Sequence, residues 1–201
     1  MATLERASRW AGAIAIFEAL PRQSLAPSGA SLTTALLALR SGSLWQAALS
    51  LLAVAKKPDL RSQNAALAAC EAGSAWPAAL ALFARAPPGE LVARNTTISA
   101  CAQGSQWSHC LDLLRSASAR RWALDVISFN STLSGLAVGR CWDRATLLLE
   151  EMRQGPITPN VISYNTTISS FVDWEGLPSW GVSPGNCTFW FRTHTTPIRK
   201  P

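Results

Sequence analysis

The run Ser108-His109-Cys110, followed by Asp112, holds the residue types of a nucleophile, a base and an orienting carboxylate. A working triad needs these side chains to converge on one point. Neighbouring residues of a helix leave it about 100° apart and do not face one another. The run therefore assembles no triad. The other histidine, His194, lies far off near the end of the chain. No phosphate-cradling glycine loop, GxSxG elbow or paired-carboxylate pattern is present, and the chain is not expected to be an enzyme. Cys70, Cys101, Cys110, Cys141 and Cys187 form no CxxC pair and have no close histidine, so neither a metal nor another cofactor is expected. Their odd number and irregular spacing also argue against a secreted disulfide framework and for a reducing compartment.

Asparagine is more informative. Asn64, Asn95, Asn130 and Asn165 follow one another at intervals of 31, 35 and 35 residues. An amide both donates and accepts hydrogen bonds, which suits recognition rather than bond-making, although an asparagine in a helix also pairs with nearby backbone. Asn95, Asn130, Asn165 and Asn186 each open an Asn-x-Ser/Thr glycosylation pattern. Three of them recur in one phase and no signal peptide is recognisable, so a repeat accounts for them better than glycans do.

The elements that position these amides follow from a wider register. Trp10, Trp45, Trp76, Trp107 and Trp142 are separated by 35, 31, 31 and 35 residues. Gly42, Gly73, Gly104 and Gly139 each precede a tryptophan by three residues, and Ala13, Ala48, Ala79, Cys110 and Ala145 each follow one by three. Self-similarity at this period marks stacked supersecondary units. The complete units are 29–59, 60–90, 91–125 and 126–160, with partial units at 1–28 and 161–173. Each reads as two helices. In the last complete unit the first helix spans Val126 to Val138 and ends at Gly139, which is expected to take the left-handed cap conformation. The second carries Trp142, Ala145, Leu148, Leu149 and Met152 on one stripe, and Pro159 helps to end the unit. The alanine lets helix backbones approach while the indole fills the space where hairpins meet. Cys70 and Cys101 stand where other units have Leu39, Leu136 and Phe171, and are expected in the core. The fold class is all-α, an α-solenoid of helix-turn-helix hairpins in a right-handed superhelix, binding a ligand on its concave face.

Composition agrees. Hydrophobic residues reach 48% against 15% charged, enough to bury a core and too little charge for a disordered chain. Lysine and arginine number 18 against 12 acidic residues, mostly arginine, which favours an anionic partner. Arg120, Arg121, Arg144, Lys56 and Lys57 are candidates for backbone contacts to such a partner, though each alone reads as a solvated surface charge. The longest apolar run, residues 44–55, is too short to span a membrane and contains Gln46. Residues 1–20 have a transit-like mixture of Ala, Ser and Arg, but Glu5 and Glu18 oppose that reading and the segment fits the repeat register. The chain is thus expected to begin inside a repeat, as a fragment or an incomplete gene model would.

The stretch Val126-Ile127-Ser128-Phe129-Asn130-Ser131-Thr132-Leu133, with Glu150-Glu151-Met152 and Thr158-Pro159-Asn160, closely resembles the pentatricopeptide repeat. Val161-Ile162-Ser163-Tyr164-Asn165-Thr166-Thr167-Ile168 opens the next unit in the same way. Asn95 to Cys101 keeps part of the pattern, and Asn64 with its Ala-Ala-Leu-Ala-Ala-Cys run keeps less. Tetratricopeptide repeats share the architecture, but their Trp-Leu-Gly-Tyr signature in the first helix is missing. The resemblance covers about residues 1–172, most strongly from 91.

It implies binding of single-stranded RNA, one base per unit, through the fifth and last residues of each. The fifth residues are Thr33, Asn64, Asn95, Asn130 and Asn165; the last are Asp59, Glu90, Asp125 and Asn160. A short amide or hydroxyl there can hydrogen-bond a base edge. Val92, Ile127 and Ile162 would flank the bases as apolar wedges, with Arg61 a departure at that place. By the same resemblance Thr33 with Asp59 favours guanine, Asn95 with Asp125 uracil, and Asn130 with Asn160 a pyrimidine. Asn64 with Glu90 matches no usual pair. A role in organellar transcript processing, stability or translation is implied, in chloroplast or mitochondrion, with processing proteins as recruited partners. A protein-binding scaffold without RNA is the alternative.

After Phe171 the register fails. Gly176, Pro178, Gly181, Pro184, Gly185, Pro197 and Pro201 predict an irregular or disordered tail at 174–201. Its Trp174, Trp180, Phe189, Trp190 and Phe191 read as a truncated or misread gene end, or as a segment that docks another protein.

Overall fold

A computed structural model describes residues 29–55 and 58–172, with Gly12 and Ala15 besides. Expectations for the partial unit 1–28, for Lys56 and Lys57, and for the tail 174–201 lie outside the described residues. Among the described residues there are nine helices and no strand, the all-α solenoid class that the repeat implied. They fall into two compact units, Met1–Gly104 and Ser105–Pro201.

The first unit holds α1 (Gly29–Ser41), α2 (Trp45–Val54), α3 (Leu60–Ala72), α4 (Trp76–Phe83) and α5 (Leu91–Gln103). α1 packs on α3 and α3 on α5, so the first helices of successive hairpins form a layer. α2 packs on α1 and α3, and α4 on α3 and α5. Leu32, Leu36 and Leu39 of α1 meet Ala48 and Leu52 of α2 and Ala65, Ala66 and Ala69 of α3. Leu67 and Cys70 of α3 pack with Ala79 of α4 and Ala93 and Ala100 of α5. Alanine dominates because the helices lie close enough that larger side chains would overpack the space.

The second unit holds α6 (Trp107–Ala119), α7 (Val126–Val138), α8 (Trp142–Gln154) and α9 (Val161–Val172). Here α7 packs on α6, α8 and α9, and α8 also packs on α9. Its core joins Leu111 and Leu114 to Leu133 and Leu136 and to Ala145, Leu148 and Met152. Each leucine buried in this way contributes about 1.5–3 kcal/mol. Cys70 and Cys101 are buried, as are Leu39 and Leu136, but Phe171 is 45% exposed. It meets Trp142 with ring centroids 5.5 Å apart, and α9 lacks the second helix that covers the other four positions among the described residues.

One expectation is corrected. Gly139 is not in the left-handed region; its φ is −76° and ψ −1°, and Gly73 and Gly104 are similarly right-handed. The left-handed residue is the next one, with φ of 55° at Ser43, 51° at Ser74, 58° at Ser105 and 55° at Arg140. The helix ends are closed by bonds from Leu44 N to Leu39 O at 3.1 Å, Ala75 N to Cys70 O at 2.9 Å and Cys141 N to Leu136 O at 2.9 Å. This is the capping geometry expected at such a turn, shifted by one residue. Glycine stands before it for space. A Cβ on Gly73 would lie 2.5 Å from Trp45 Cδ1, and one on Gly139 would lie 2.5 Å from Trp107 Cδ1. Gly104 meets Trp76 in the same manner. Each glycine therefore seats the indole of the preceding repeat, which is why the two markers travel together in the sequence.

Candidate nucleic-acid interface

The residue before a first helix must satisfy backbone N–H groups that have no partner within the helix. Asp59, before α3, accepts from Ser62 N at 2.9 Å. The Ser62 hydroxyl and then its backbone N–H hold the Asp59 carboxyl below its ordinary range. Asp125, before α7, accepts from Ser128 N at 2.8 Å, and Ser128 returns a bond to the Asp125 backbone, closing a capping box. Asn160, before α9, accepts from Ser163 N at 3.0 Å, while its own N–H donates to Ser163 Oγ at 3.2 Å. Three of the residues singled out as unit ends thus have a helix-capping role as well.

Asn130 and Asn160 come together. Asn130, one turn into α7, donates from Nδ2 to Asn160 Oδ1 at 3.2 Å. Ser163 Oγ donates to Asn130 Oδ1 at 2.6 Å. Asn160 Oδ1 thus accepts from both Asn130 and the Ser163 N–H, while Asn130 Oδ1 accepts one bond and keeps a lone pair. Ser163 escaped the sequence reading although a signal existed. Ser62, Ser128 and Ser163 each follow a unit-end Asp or Asn by three residues, the spacing of a cap and its N3 partner, and all three are buried.

The remaining positions differ among themselves. Thr33 Oγ1 donates to Gly29 O at 2.8 Å, and a Cβ on Gly29 would lie 3.1 Å from Asp59 Oδ2, so Thr33 and Asp59 both border the first turn of α1. Asn64, on α3, has its amide oxygen shut off from solvent without a hydrogen-bond donor. Glu90 precedes α5 but its side chain caps nothing. Asn95 lies on α5 in the first unit and Asp125 before α7 in the second, each half-buried. Asn165 on α9 is exposed.

Val92, Ile127 and Ile162 occupy the second position of α5, α7 and α9 and are 54%, 60% and 59% exposed. Large β-branched side chains left in water beside polar pairs leave the helix starts free to clasp a flat apolar group. Arg61 is exposed at the same place in α3. Arg144, in contrast, is withdrawn from any ligand: it is buried, with its guanidinium 4.6 Å from the centre of the Trp107 ring. Packing on an indole costs an arginine less than it would a lysine, because the flat guanidinium is weakly hydrated. Arg120 is exposed and lies over Trp122 at 4.9 Å.

Stacked helical hairpins of about 31–35 residues, with in-phase amides and carboxylates at the starts of the first helices, define a helical-repeat scaffold. Residues 112–174 match the model of the pentatricopeptide repeat domain, and in this segment the chain is similar to pentatricopeptide repeat proteins. Its fold is similar to the crystal structure of the pentatricopeptide repeat protein PPR10 from maize, with a TM-score of 0.65 and 24% identity over 84% of this chain. It is also similar to PPR10 in complex with an 18-nt psaJ RNA element, with a TM-score of 0.63 and 23% identity over 81% of this chain. The chain spans about a quarter of the length of these proteins, 25% and 26% respectively. No curated protein matches it in sequence.

Proposed function

We propose that the chain binds single-stranded RNA along its first helices, one base per repeat, and is a scaffold without chemistry of its own. The observation that carries this reading is the Asn130–Asn160 pair, joined at 3.2 Å and fixed by Ser163, with exposed Ile127 and Ile162 beside it. Polar atoms held in a set direction can read a base edge, and apolar side chains next to them can clasp the base plane. The RNA-bound neighbour PPR10 supports the choice of ligand. Thr33, Asp59, Asn64, Glu90, Asn95, Asp125 and Asn165 are proposed for the equivalent roles, with Val92 flanking as Ile127 and Ile162 do. At Asn130–Asn160 the amide N–H groups can donate to the carbonyl O2 of a pyrimidine, and Asn130 Oδ1, which receives one donor, keeps a lone pair beside them.

In the cell such a scaffold would act on organellar transcripts, in processing, stability or translation, with catalytic proteins recruited to it. Chloroplast or mitochondrion is the proposed location. Binding of short randomised RNA pools at several salt concentrations tests the reading. Affinity should fall with salt, because phosphate contacts release counterions. Asn130→Ala should weaken binding by about tenfold. Absence of RNA binding at low salt, or affinity unchanged by Asn130→Ala and Asn95→Ala, overturns it in favour of a protein-binding scaffold.

A further inference from the structure

Apolar positions that the other first helices bury stand open on α9. Ile168 is 60% exposed and Phe171 45%, whereas Leu133 and Leu136 at the same places in α7, and Ile98 and Cys101 in α5, are fully buried. In α7 the cover is the second helix of the same repeat: Leu133 and Leu136 share a core with Ala145, Leu148 and Met152 of α8. The sequence after α9 does not repeat that helix. Where a glycine, a tryptophan and an alanine are due it has Trp174, Leu177 and Trp180, and Ser183 and Pro184 stand in place of Leu148 and Leu149.

The missing pattern occurs elsewhere in the chain. Trp10, Ala13, Ile16, Phe17 and Leu20 reproduce Trp142, Ala145, Leu148, Leu149 and Met152 of α8 one for one, at identical spacing. Charge agrees with the match. The single ionisable residue of 10–20, Glu18, falls where α8 has the exposed Glu150, and α9 has no charged residue. Contact between the two stripes therefore strips water from no ionised group. A second helix also has two flanks to cover, since α8 packs on α7 of its own repeat and on α9 of the next. Residues 10–20 precede α1 in sequence as α8 precedes α9, so the same register matches one flank to α1 and the other to a first helix of the α9 kind.

We propose that a second copy of this chain covers α9: residues 10–20 of one copy dock on Ile168 and Phe171 of another, head to tail. The contact repeats between copies the α7–α8 contact within one, with the same residue types at the same spacing. Two different patches meet in each pair, and every pair leaves one of each unused. The association is thus heterologous and continues past the dimer, whereas α9 against α9 would be isologous and stop at two.

Sedimentation velocity of the RNA-free full chain over a range of concentrations tests this, with Phe171→Glu and Ala13→Glu beside the wild type. The wild type should associate reversibly past the dimer. Either substitution places a charge in the contact and should weaken association by about tenfold or more. A one-to-one mixture of the two variants should form a dimer and nothing larger, because the intact 10–20 segment of Phe171→Glu meets the intact α9 of Ala13→Glu. Phe171 is half exposed, so Phe171→Glu should keep the wild-type circular dichroism, and Ile168→Glu should reproduce its effect from the same face. A wild type that stays monomeric would overturn the proposal. So would Ala13→Glu associating as strongly as the wild type, which would point to α9 pairing with α9, or a mixture of the variants that stays monomeric. RNA takes no part in the measurement, so its outcome is separate from that of the RNA-binding reading.

Discussion

Gly139→Ala places a methyl group where Trp107 Cδ1 would be 2.5 Å away and Trp107 Cγ 3.0 Å away. Carbon atoms in contact sit about 3.5–4.0 Å apart, so the indole must retreat by about an ångström from a packed interface. Inserting a methyl group into a tight core typically costs about 1–3 kcal/mol. Against this stands a gain, since Gly139 has right-handed backbone angles and alanine is favoured over glycine in such a conformation by about 1 kcal/mol. The net expectation is a loss of about 1–2 kcal/mol. Arg140→Gly should have the opposite sign, because Arg140 has a φ of 55° and relief of the left-handed penalty returns about 1 kcal/mol. Urea denaturation followed by far-ultraviolet circular dichroism measures both. A Trp107→Leu background should remove most of the Gly139→Ala cost, since the two positions are coupled through one contact. A neutral or stabilising Gly139→Ala, or a cost that persists unchanged without Trp107, would refute the indole-seat account of these glycines.

Burial pushes the Cys70 and Cys101 thiols up to about 11, so both should resist alkylation at pH 8 in the native protein and react only after unfolding; peptide mass spectrometry reads this directly. Ser163→Ala leaves the backbone N–H bond to Asn160 but removes the hydroxyl that accepts from the Asn160 N–H and orients Asn130, and should lower stability by about 1 kcal/mol while weakening RNA binding further than that loss explains. Asp59 has a folded pKa below its unfolded value, so its contribution is complete above the ordinary carboxylate range and is lost as pH falls through the folded value. The difference in urea midpoint between the wild type and Asp59→Ala should therefore be present at pH 7 and should vanish in strong acid.

Helix content was legible because it rests on short-range order. A tryptophan opens each of α2, α4, α6 and α8, and a glycine follows each of α3, α5 and α7, so one pass along the chain finds them. The core role of Cys70 and Cys101 was equally legible from their phase with Leu39 and Leu136. The in-phase amides were visible in the sequence too, but their hydrogen-bonding was not. Which atoms of Asn130 remain for a ligand is decided by Ser163, thirty-three residues away. Arg144 carried the same formal charge as its surface counterparts, and only the Trp107 ring above it shows that it belongs to the packing.

By itself, then, the sequence determined the repeat, its two-helix content and the face on which the amides lie. Those follow from period, capping and helix propensity, all of which act within one hairpin. Tertiary structure decided what each repeated residue is for. Gly139 is spare for its own turn and is needed by the indole of the repeat before it. Asp59 caps its helix through Ser62, whereas Glu90, at the equivalent place, caps nothing. Stacking brings together side chains some thirty residues apart, and a linear pattern cannot show which of their polar atoms that contact has already used.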